Sequence, residues 1–511
     1  MKILRFTAIS ILIFAALACG ETNPEQPEAE APVLLSTDPA NGTSEVRGSS
    51  LTVTFNFDQN IRCSPSDQAA ITIDGGASVD GVSVAGASLI VSLSGLNVEV
   101  SYVMTLPEGT VHGLKTNQKS SPAITFTFST KDVTPDQWDL AGVAARKMGT
   151  GWNLGNTLES NSGDTQHMWI EAWTDAGTSD YETAWGQPVA TRELIHMFKE
   201  AGFNSIRVPV TWYPHMGRLG VEVKNINGEY TPVWDVSAWT GYDVDPVWMA
   251  RVKEVVDYVI DEGMYCILNV HHDTGDASTA WLRADQKAYE QYRERYVRLW
   301  QQIGTEFADY GQKLLFESFN EMLDAKGTWN YSTQEAHEVI NKWNADFVST
   351  VRATGGNNAF RNLILNTYAA SSDPKAWADF RLPQDSTVDH LMVEVHSYAP
   401  YSFAMYEGST KKTVFDAACE REVTGIVENL NKYFVSKGIP CVIGEYGCTS
   451  TREETERAKQ AACYVSNAAK YDIPCFYWMS LSDGEDRAAL KWTCPSLKNA
   501  ILNAYNDNRN N

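Results

Sequence analysis

Basic residues are scarce in this sequence. Among its 511 residues, 64 Asp and Glu stand against 41 Lys and Arg, so the formal net charge is −23. No basic run interrupts the acidic surplus. A chain of this charge repels nucleic-acid phosphates and anionic lipid surfaces, and we therefore expect no nucleic acid among its partners. A neutral ligand needs no electrostatic steering and is not excluded.

Apolar runs long enough to cross a membrane are also missing. The run over residues 6–17 has about half of the ~20 residues that a spanning helix requires, and Lys2 and Arg5 precede it. This pattern predicts a cleavable secretory signal over residues 1–18. The small residue before Cys19 and the acidic stretch after it resemble a bacterial lipoprotein signal, in which Cys19 becomes the lipidated first residue. An ordinary signal peptide with an incidental cysteine is the alternative.

The segment after this cysteine has almost nothing to bury. Residues 19–32 are acidic and rich in proline, which predicts an extended tether. We therefore expect an exported protein that is lipid-anchored to the bacterial outer membrane, on the cell surface. Its only contact with the membrane would be the N-terminal lipid.

Closely spaced cysteine pairs are absent. The eight cysteines after Cys19 form no Cys-x-x-Cys motif. Cys266, Cys441 and Cys475 fall in apolar, strand-like runs, which is typical of buried small hydrophobic residues rather than of a disulfide framework. Pairing among the other cysteines stays open for an exported protein.

Tryptophan is absent from the first quarter of the chain, because all sixteen tryptophans lie at or after Trp138. Between residues 33 and 131, short alternating apolar runs are separated by Gly, Asn, Ser and Pro, which predicts an antiparallel β-sandwich. The turn at residues 39–42 and the strand at residues 126–130 resemble those of bacterial Ig-like modules.

This sandwich has few aromatic residues. They are Phe55, Phe57, Tyr102, Phe126 and Phe128. We interpret the sandwich as a spacer, because a carbohydrate-binding module or an adhesin needs exposed flat rings or another binding surface.

Eight apolar runs alternate with amphipathic helical segments after Trp138. The runs are residues 151–156, 205–210, 265–270, 313–319, 362–366, 391–395, 441–444 and 475–479. Helical patterns cover residues 190–201, 246–262, 286–309, 334–354, 414–437, 452–470 and 496–505, with a weak connection after the fifth run. This alternation predicts an α/β fold, a (β/α)8 TIM barrel over residues 138–511, preceded by the all-β sandwich.

Polar and aromatic residues follow most of these runs, where the side chains of a barrel's active site cluster. They are Asn156, Arg207, His271, His272, Asp273, Asn320, Glu321, Asn366, His396, Tyr398, Glu445 and Trp478. Glu321 and Glu445 are a candidate catalytic pair, because hydrolysis of a glycosidic bond needs one carboxyl as proton donor and another as nucleophile or base. The run His271-His272-Asp273 also permits a metal site, but we expect no metal, since consecutive residues of a strand point to opposite sides.

Eight motifs in order carry a family resemblance. They are GWNLGNTLES (151–160), ETAWGQP (182–188), GFNSIRVPVTW (202–212), YCILNVHHD (265–273), LLFESFNEML (314–323), VEVHSYAPY (393–401), IGEYG (443–447) and YWMSLSDG (477–484). With them the chain resembles glycoside hydrolase family 5, and within it the endo-β-1,4-glucanases and xyloglucanases. The sequence departs from many members at Met322, where they have proline.

The resemblance implies roles for the candidate residues. Glu321 would be the acid/base and Glu445 the nucleophile, with Arg207 and Tyr398 orienting Glu445. The expected substrate-binding residues are Asn156, Arg207, His271, His272, Asn320, His396, Tyr398 and Trp478.

The roles of the two carboxyls also agree with their expected charges. Arg207 beside Glu445 would keep that carboxylate ionised, and the resulting negative charge would keep Glu321 protonated. We expect the two carboxyl groups to lie about 5 to 5.5 Å apart, the spacing of retaining enzymes. Loop tryptophans (Trp169, Trp173, Trp185, Trp212 and Trp478) predict stacking on both sides of the cleavage point and an open groove.

The expected activity is that of a retaining endo-β-1,4-glucanase that needs no cofactor and acts as a monomer on plant β-glucans. A xyloglucan-specific endoglucanase is the alternative within the family. A non-catalytic glycan-binding lipoprotein is the rival class, and it would lack one of the two glutamates.

Overall fold

The computed structural model describes residues 30–46, 50–97, 99–115, 119–130, 138–478 and 484–509. The predicted signal peptide (1–18), Cys19 and most of the tether (19–32) lie outside the described residues. The chain divides into two compact units, Met1–Lys131 and Asp132–Asn511. None of the helices in the described ranges is long and apolar enough to cross a membrane.

The first unit is the predicted sandwich. Its strands are β1 (Leu34–Asp38), β2 (Thr43–Val46), β3 (Ser50–Phe57), β4 (Ile61–Arg62), β5 (Thr72–Ile73), β6 (Ser78–Ala85), β7 (Ser88–Ser94), β8 (Ser101–Leu106), β9 (His112–Gly113) and β10 (Ile124–Thr130). One short helix, α1 (Pro65–Gln68), follows β4. The two main sheets have the strand orders β1-β3-β7-β6 and β2-β10-β8-β5.

The aromatic residues of the sandwich form its core. Phe55 and Phe126 pack edge to face with ring centroids 5.8 Å apart, and all five aromatic side chains are buried. Alternation along β10 explains this placement, since every second residue faces the core. The described part of the sandwich therefore exposes no Phe, Tyr or Trp ring on which a sugar could stack.

The second unit is a closed barrel of eight parallel strands, as predicted. Its strands, in spatial and chain order, are β11 (Thr150–Asn153), β12 (Ser205–Val208), β15 (Tyr265–Asn269), β16 (Leu314–Glu317), β17 (Leu363–Ser371), β18 (Leu391–His396), β19 (Cys441–Tyr446) and β20 (Cys475–Trp478). Cys266, Cys441 and Cys475 are buried in these strands, in agreement with their apolar surroundings in the sequence.

Helices cover the barrel. They are α2 (Ala141–Met148), α3 (Trp169–Trp173), α4 (Thr178–Glu182), α5 (Arg192–Ala201), α6 (Pro246–Asp261), α7 (Gln286–Glu306), α8 (Gln334–Ala353), α9 (Tyr401–Ala404), α10 (Ala417–Tyr433), α11 (Glu454–Ala469) and α12 (Pro495–Arg509). Side-chain caps start several of them, as at Thr333 and Asp416. The weak connection after β17 contains only a 3₁₀ turn, Pro374–Trp377.

Helix α2 was not expected, and it packs on side chains inside the barrel. Its buried face, which includes Ala144 and Met148, shares a core cluster with Tyr265, Ile267, Leu315, Ile364, Met392, Val442 and Phe476. The first two of these belong to β15, and Tyr265 is the first residue of that strand. The helix therefore covers the amino-terminal end of the barrel, and the carboxyl ends of the strands are left for the site.

A long β-hairpin between β12 and α6 was also not predicted. It consists of β13 (Met216–Ile226) and β14 (Glu229–Val244), which pair antiparallel. Asn227 and Gly228 form its turn with φ of 53° and 92°, and an Asn-Gly pair is a strong hairpin signal because both positions need positive φ. Two further short strands, β21 (Glu485–Asp486) and β22 (Lys491–Trp492), pair near the end of the chain.

Candidate active site

Glu445 lies near the carboxyl end of β19 and is 5% exposed. Nη1 of Arg207 donates to its Oε1 at 2.8 Å, and the hydroxyl of Tyr398 donates to its Oε2 at 2.7 Å. Burial alone would raise the pKa of Glu445, but the charges of His396 and Arg207 and these hydrogen bonds hold it below its usual value. The side chain is therefore an ionised carboxylate.

Glu321 stands opposite, in the loop after β16. Its Oε1 is 2.8 Å from Nδ1 of His396, and one of its oxygens lies within 4.8 Å of an oxygen of Glu445. Burial raises the pKa of Glu321, with a further contribution from the charge of Glu445, while His396 opposes the shift. The pair thus combines a carboxyl whose pKa is raised with a carboxylate whose pKa is lowered, the division that a proton donor and a nucleophile need.

Arg207, on β12, connects several side chains at the bottom of the site. It is fully buried, and its guanidinium donates to four side chains, Glu317, Glu445, Asn153 and Asn320, over 2.7 to 3.0 Å. Burial would lower the pKa of this arginine, but the surrounding glutamates raise it. The guanidinium therefore stays charged. Because it is planar and rigid, its hydrogen bonds hold these four side chains in defined positions.

Two buried glutamates at this site were missed by the sequence reasoning. Glu317 forms a bidentate ion pair with Arg207, at 2.7 and 2.8 Å, and Glu394 lies between Arg207 and His396. Both sit inside strands that were interpreted as apolar. The available signal was the charge itself, because a carboxylate within a buried strand requires a buried cationic partner.

Histidine and tryptophan rings lie around the two carboxyl groups. The ring of His271 is parallel to that of Trp478 with centroids 5.5 Å apart, and its Nε2 is 3.9 Å from Glu445. The ring of His272 packs on Trp185 at 5.2 Å. Burial lowers the pKa of both histidines, that of His272 to about 4, so both are neutral near pH 7.

The metal alternative does not fit the contacts of Asp273. Its two oxygens accept hydrogen bonds from the backbone N–H groups of Trp212 and Tyr213 and from the indole N–H of Trp281, at 2.6 to 2.8 Å. Three donors around one carboxylate leave it as a loop anchor rather than a metal ligand.

The prediction that Trp212 stacks on a sugar is wrong. Trp212 is fully buried, and its indole donates to the backbone oxygen of Asn269 at 2.9 Å, so it belongs to the core and cannot meet a sugar. The loop that contains it turns inward because Asp273 holds its backbone. Trp169 and Trp173 are 37% and 57% exposed, so their rings are open to solvent, whereas Trp478 is 7% exposed.

Most of the candidate residues come together in this network. They are Arg207, His271, Asn320, Glu321, His396, Tyr398 and Glu445, with Trp478 against His271. The side chain of Asn156 makes no hydrogen bond to the described residues of this network, its backbone N–H donates to Glu159, and its role toward a substrate stays a prediction. Asn153, three residues earlier, holds Arg207 instead.

The comparisons with known proteins agree with this geometry. Residues 169–484 match the family described as cellulase (glycosyl hydrolase family 5). The chain belongs to glycoside hydrolase family 5. Residues 28–130 match the bacterial Ig-like domain family, so the fold prediction for both units is confirmed.

Curated relatives and solved structures match about 70% of this chain. The chain is 37% identical to endoglucanase 1 of Ruminococcus albus, over 69% of this chain and 78% of that protein. It is 34% identical to endoglucanase B of Neocallimastix patriciarum, over 69% of each. A family 5 enzyme from Prevotella bryantii B14, solved in complex with a xyloglucan tetradecasaccharide, is 38% identical, with a TM-score of 0.62 over 72% of this chain and 99% of that chain.

Proposed function

We propose that this family 5 glycoside hydrolase is a retaining endo-β-1,4-glucanase that cleaves internal bonds of β-glucans, with Glu445 as nucleophile and Glu321 as acid/base. The observation that carries the proposal is the short distance between the two carboxyl groups, whose nearest oxygens lie within 4.8 Å. Retaining enzymes have a separation of about 5 to 5.5 Å, whereas inverting enzymes need about 6.5 to 9.5 Å to admit a water molecule.

In the first half of the reaction the nucleophile attacks. An oxygen of Glu445 forms a bond to the anomeric carbon while the bond to the leaving oxygen breaks, and Glu321 transfers its proton to that oxygen. Arg207 and Tyr398 keep Glu445 ionised and aimed at the sugar. The product is a glycosyl ester of Glu445 and a shortened chain.

In the second half Glu321 acts as a base. It takes a proton from water, the water oxygen attacks the anomeric carbon, and the ester bond breaks with its electron pair returning to Glu445. Asn320 supports both halves, because Arg207 binds its amide oxygen and leaves the amide N–H groups to donate to a sugar hydroxyl. Two inversions at the same carbon retain the β configuration.

Internal cleavage is supported by aromatic residues on several loops of the rim. Trp173 follows β11, Trp329 follows β16 and Tyr401 follows β18, and they are 57%, 43% and 64% exposed. Rings distributed over separate loops fit a long chain that passes through an open groove. Xyloglucan is a second candidate substrate, because the Prevotella bryantii relative was solved with a xyloglucan oligosaccharide.

The test uses soluble mixed-linkage β-glucan and xyloglucan. We expect viscosity to drop well before reducing ends accumulate, and the first products to be β-anomers by ¹H NMR. Glu445→Ala should abolish hydrolysis, and azide should restore cleavage with an α-linked azide product. Early α-anomer or near-normal hydrolysis by Glu445→Ala would overturn the assignment.

We further propose that the protein is a monomer held at the bacterial outer membrane by a lipid on Cys19. The support is the sequence signal, a short apolar run followed by a small residue, Cys19 and an acidic stretch. Membrane fractionation of the wild type and of Cys19→Ala tests the anchor. Recovery of both proteins in the membrane fraction would contradict it.

A further inference from the structure

Glu394 lies inside the barrel, on β18, and is fully buried. Its Oε1 is 3.1 Å from Nε2 of His396 and 3.4 Å from Nε of Arg207. Its Oε2 has no hydrogen-bond partner within the described part of the chain. The side chain fills the space over Gly444, where an added Cβ would lie 1.8 Å from Oε1. This carboxylate touches His396 on the ring edge that faces away from Glu321.

His396 therefore has a carboxylate at each ring nitrogen. Nδ1 is 2.8 Å from Glu321 and 3.5 Å from Glu445, while Nε2 is 3.1 Å from Glu394. A carboxylate accepts hydrogen bonds, and so does the carbonyl oxygen of a protonated carboxyl such as Glu321, so both contacts of the ring are satisfied together when both nitrogens carry protons. Burial alone would lower the pKa of His396, but the surrounding carboxylates raise it to about 10.

The charge of Glu394 depends on the cations beside it. Burial and the nearby Glu317 raise the pKa of Glu394 to about 7, while Arg207 and His396 oppose this shift. The charged and titratable groups around the pair come from several strands or their ends. They are Arg207 on β12, His271 after β15, Glu317 on β16, Glu321 after β16, Tyr398 after β18 and Glu445 on β19.

We propose that Glu394 is a positioning residue that keeps His396 doubly protonated and aimed at Glu321, so that Glu321 is an ionised base when water attacks the glycosyl-enzyme. This inference rests on the proposed function. Once Glu445 is esterified, its negative charge no longer favours the proton on Glu321. The imidazolium remains and stabilises the carboxylate form of Glu321, which then takes the proton from water as the ester bond breaks.

Direct observation of the His396 ring tests the first part of the proposal. In ¹⁵N spectra of histidine-labelled wild-type protein, with the signal assigned through His396→Asn, both ring nitrogens should be protonated up to about pH 8. In Glu394→Gln one of them should be deprotonated at that pH. A neutral His396 in the wild type near pH 7 would overturn the inference even if Glu394→Gln did not fold.

Kinetics test the second part. With an aryl β-cellobioside that has an acidic leaving group, the first step is fast because the aryl group departs with little proton donation. The attack of water on the glycosyl-enzyme then limits kcat. Glu394→Gln should lower this kcat by about tenfold, part of the ~10²- to 10⁴-fold that general base catalysis contributes, with a smaller loss in kcat/KM. Glu394→Asp, which keeps the charge, should recover most of it.

The pH profile separates this role from a structural one. A neutral His396 no longer lowers the pKa of Glu321, so the alkaline limb of kcat/KM should move up by about one pH unit or more in Glu394→Gln. Asp273→Asn, which alters a buried carboxylate of the loop after β15, should leave the limb in place. An active wild type with an unchanged limb in Glu394→Gln would refute this inference alone, whereas an inactive wild type would refute the proposed function.

Discussion

At the scale of single residues, the two tasks of Glu321 predict a dependence on the leaving group. Glu321→Gln should slow hydrolysis of β-glucan by ~10²-fold or more, because a poor leaving group loses its proton donor. The formation of the glycosyl-enzyme from aryl cellobiosides with acidic leaving groups should suffer much less. Steady-state and burst kinetics on both substrates measure the difference.

The control for Glu321→Gln is another buried glutamate. Glu182 is paired with Arg251 at 2.8 Å and contacts neither carboxyl of the catalytic pair. Glu182→Gln should lower stability without any dependence on the leaving group. Equal losses on both substrate types in Glu321→Gln would argue against its role as the acid.

Tyr398 predicts a shift at the acidic side of the pH profile. Tyr398→Phe removes the 2.7 Å hydrogen bond to Glu445, and a bond to a charged group contributes about 1.5–3 kcal/mol, which corresponds to about one to two pH units in the pKa of that group. The loss raises the pKa of Glu445, so the acidic limb, below which the nucleophile is protonated, should move to higher pH.

Tyr464 offers a matched control. Its hydroxyl hydrogen-bonds to Ser397 at 2.8 Å and to the backbone N–H of Ala399 at 2.9 Å, next to Tyr398 in the chain. Tyr464→Phe should leave the acidic limb unchanged. An unshifted limb in Tyr398→Phe would mean that its hydroxyl does not stabilise the charge of Glu445.

At the scale of elements, Arg361 joins the end of α7 to β16 and β17. It is fully buried and donates to the backbone oxygens of Phe307 and Tyr310 at 2.8 Å and of Leu314 at 2.7 Å. Arg361→Met removes a charged donor from all three carbonyls, although the backbone N–H of Tyr310 still donates to Phe307 and the Asn357 amide to Tyr310, and should lower the free energy of unfolding by about 3 kcal/mol. Urea denaturation would show a lower midpoint.

An exposed arginine on α7 serves as the control for the loss of stability in Arg361→Met. Arg298 pairs with Asp243 on β14 at 2.6 Å, and their side chains are 46% and 79% exposed. Arg298→Met should cost about 1 kcal/mol or less, because solvent screens the pair. If both variants lost the same stability, the carbonyl contacts of Arg361 would not be what holds these elements.

At the scale of the whole molecule, every described contact of the catalytic pair comes from the barrel unit. Residues 138–511 alone should therefore hydrolyse soluble β-glucan with kcat/KM within about twofold of that of the mature chain, since a compact unit with its own core folds by itself. Loss of activity on a soluble substrate would show that the sandwich helps to build the cleft.

Much of this organisation could be predicted from the sequence by itself. Parallel strands are buried on both faces, so each appears as a short apolar run, and the eight runs predicted the barrel. The strands end at one face, so Glu321 and Glu445, which end or follow their runs, could be expected to meet there. The Asn227-Gly228 turn carried an equally local signal, and the hairpin could have been predicted from it.

Only the tertiary structure decided which other side chains share the site. Glu317 and Glu394 lie within strands, and their partner Arg207 comes from another strand far away in the chain. Trp212 has the same flat ring as Trp173, and only the packing of its loop made it a core residue. The physical reason is that burial and charge pairing depend on neighbours brought together by barrel closure, whereas periodicity and turn chemistry act between adjacent residues.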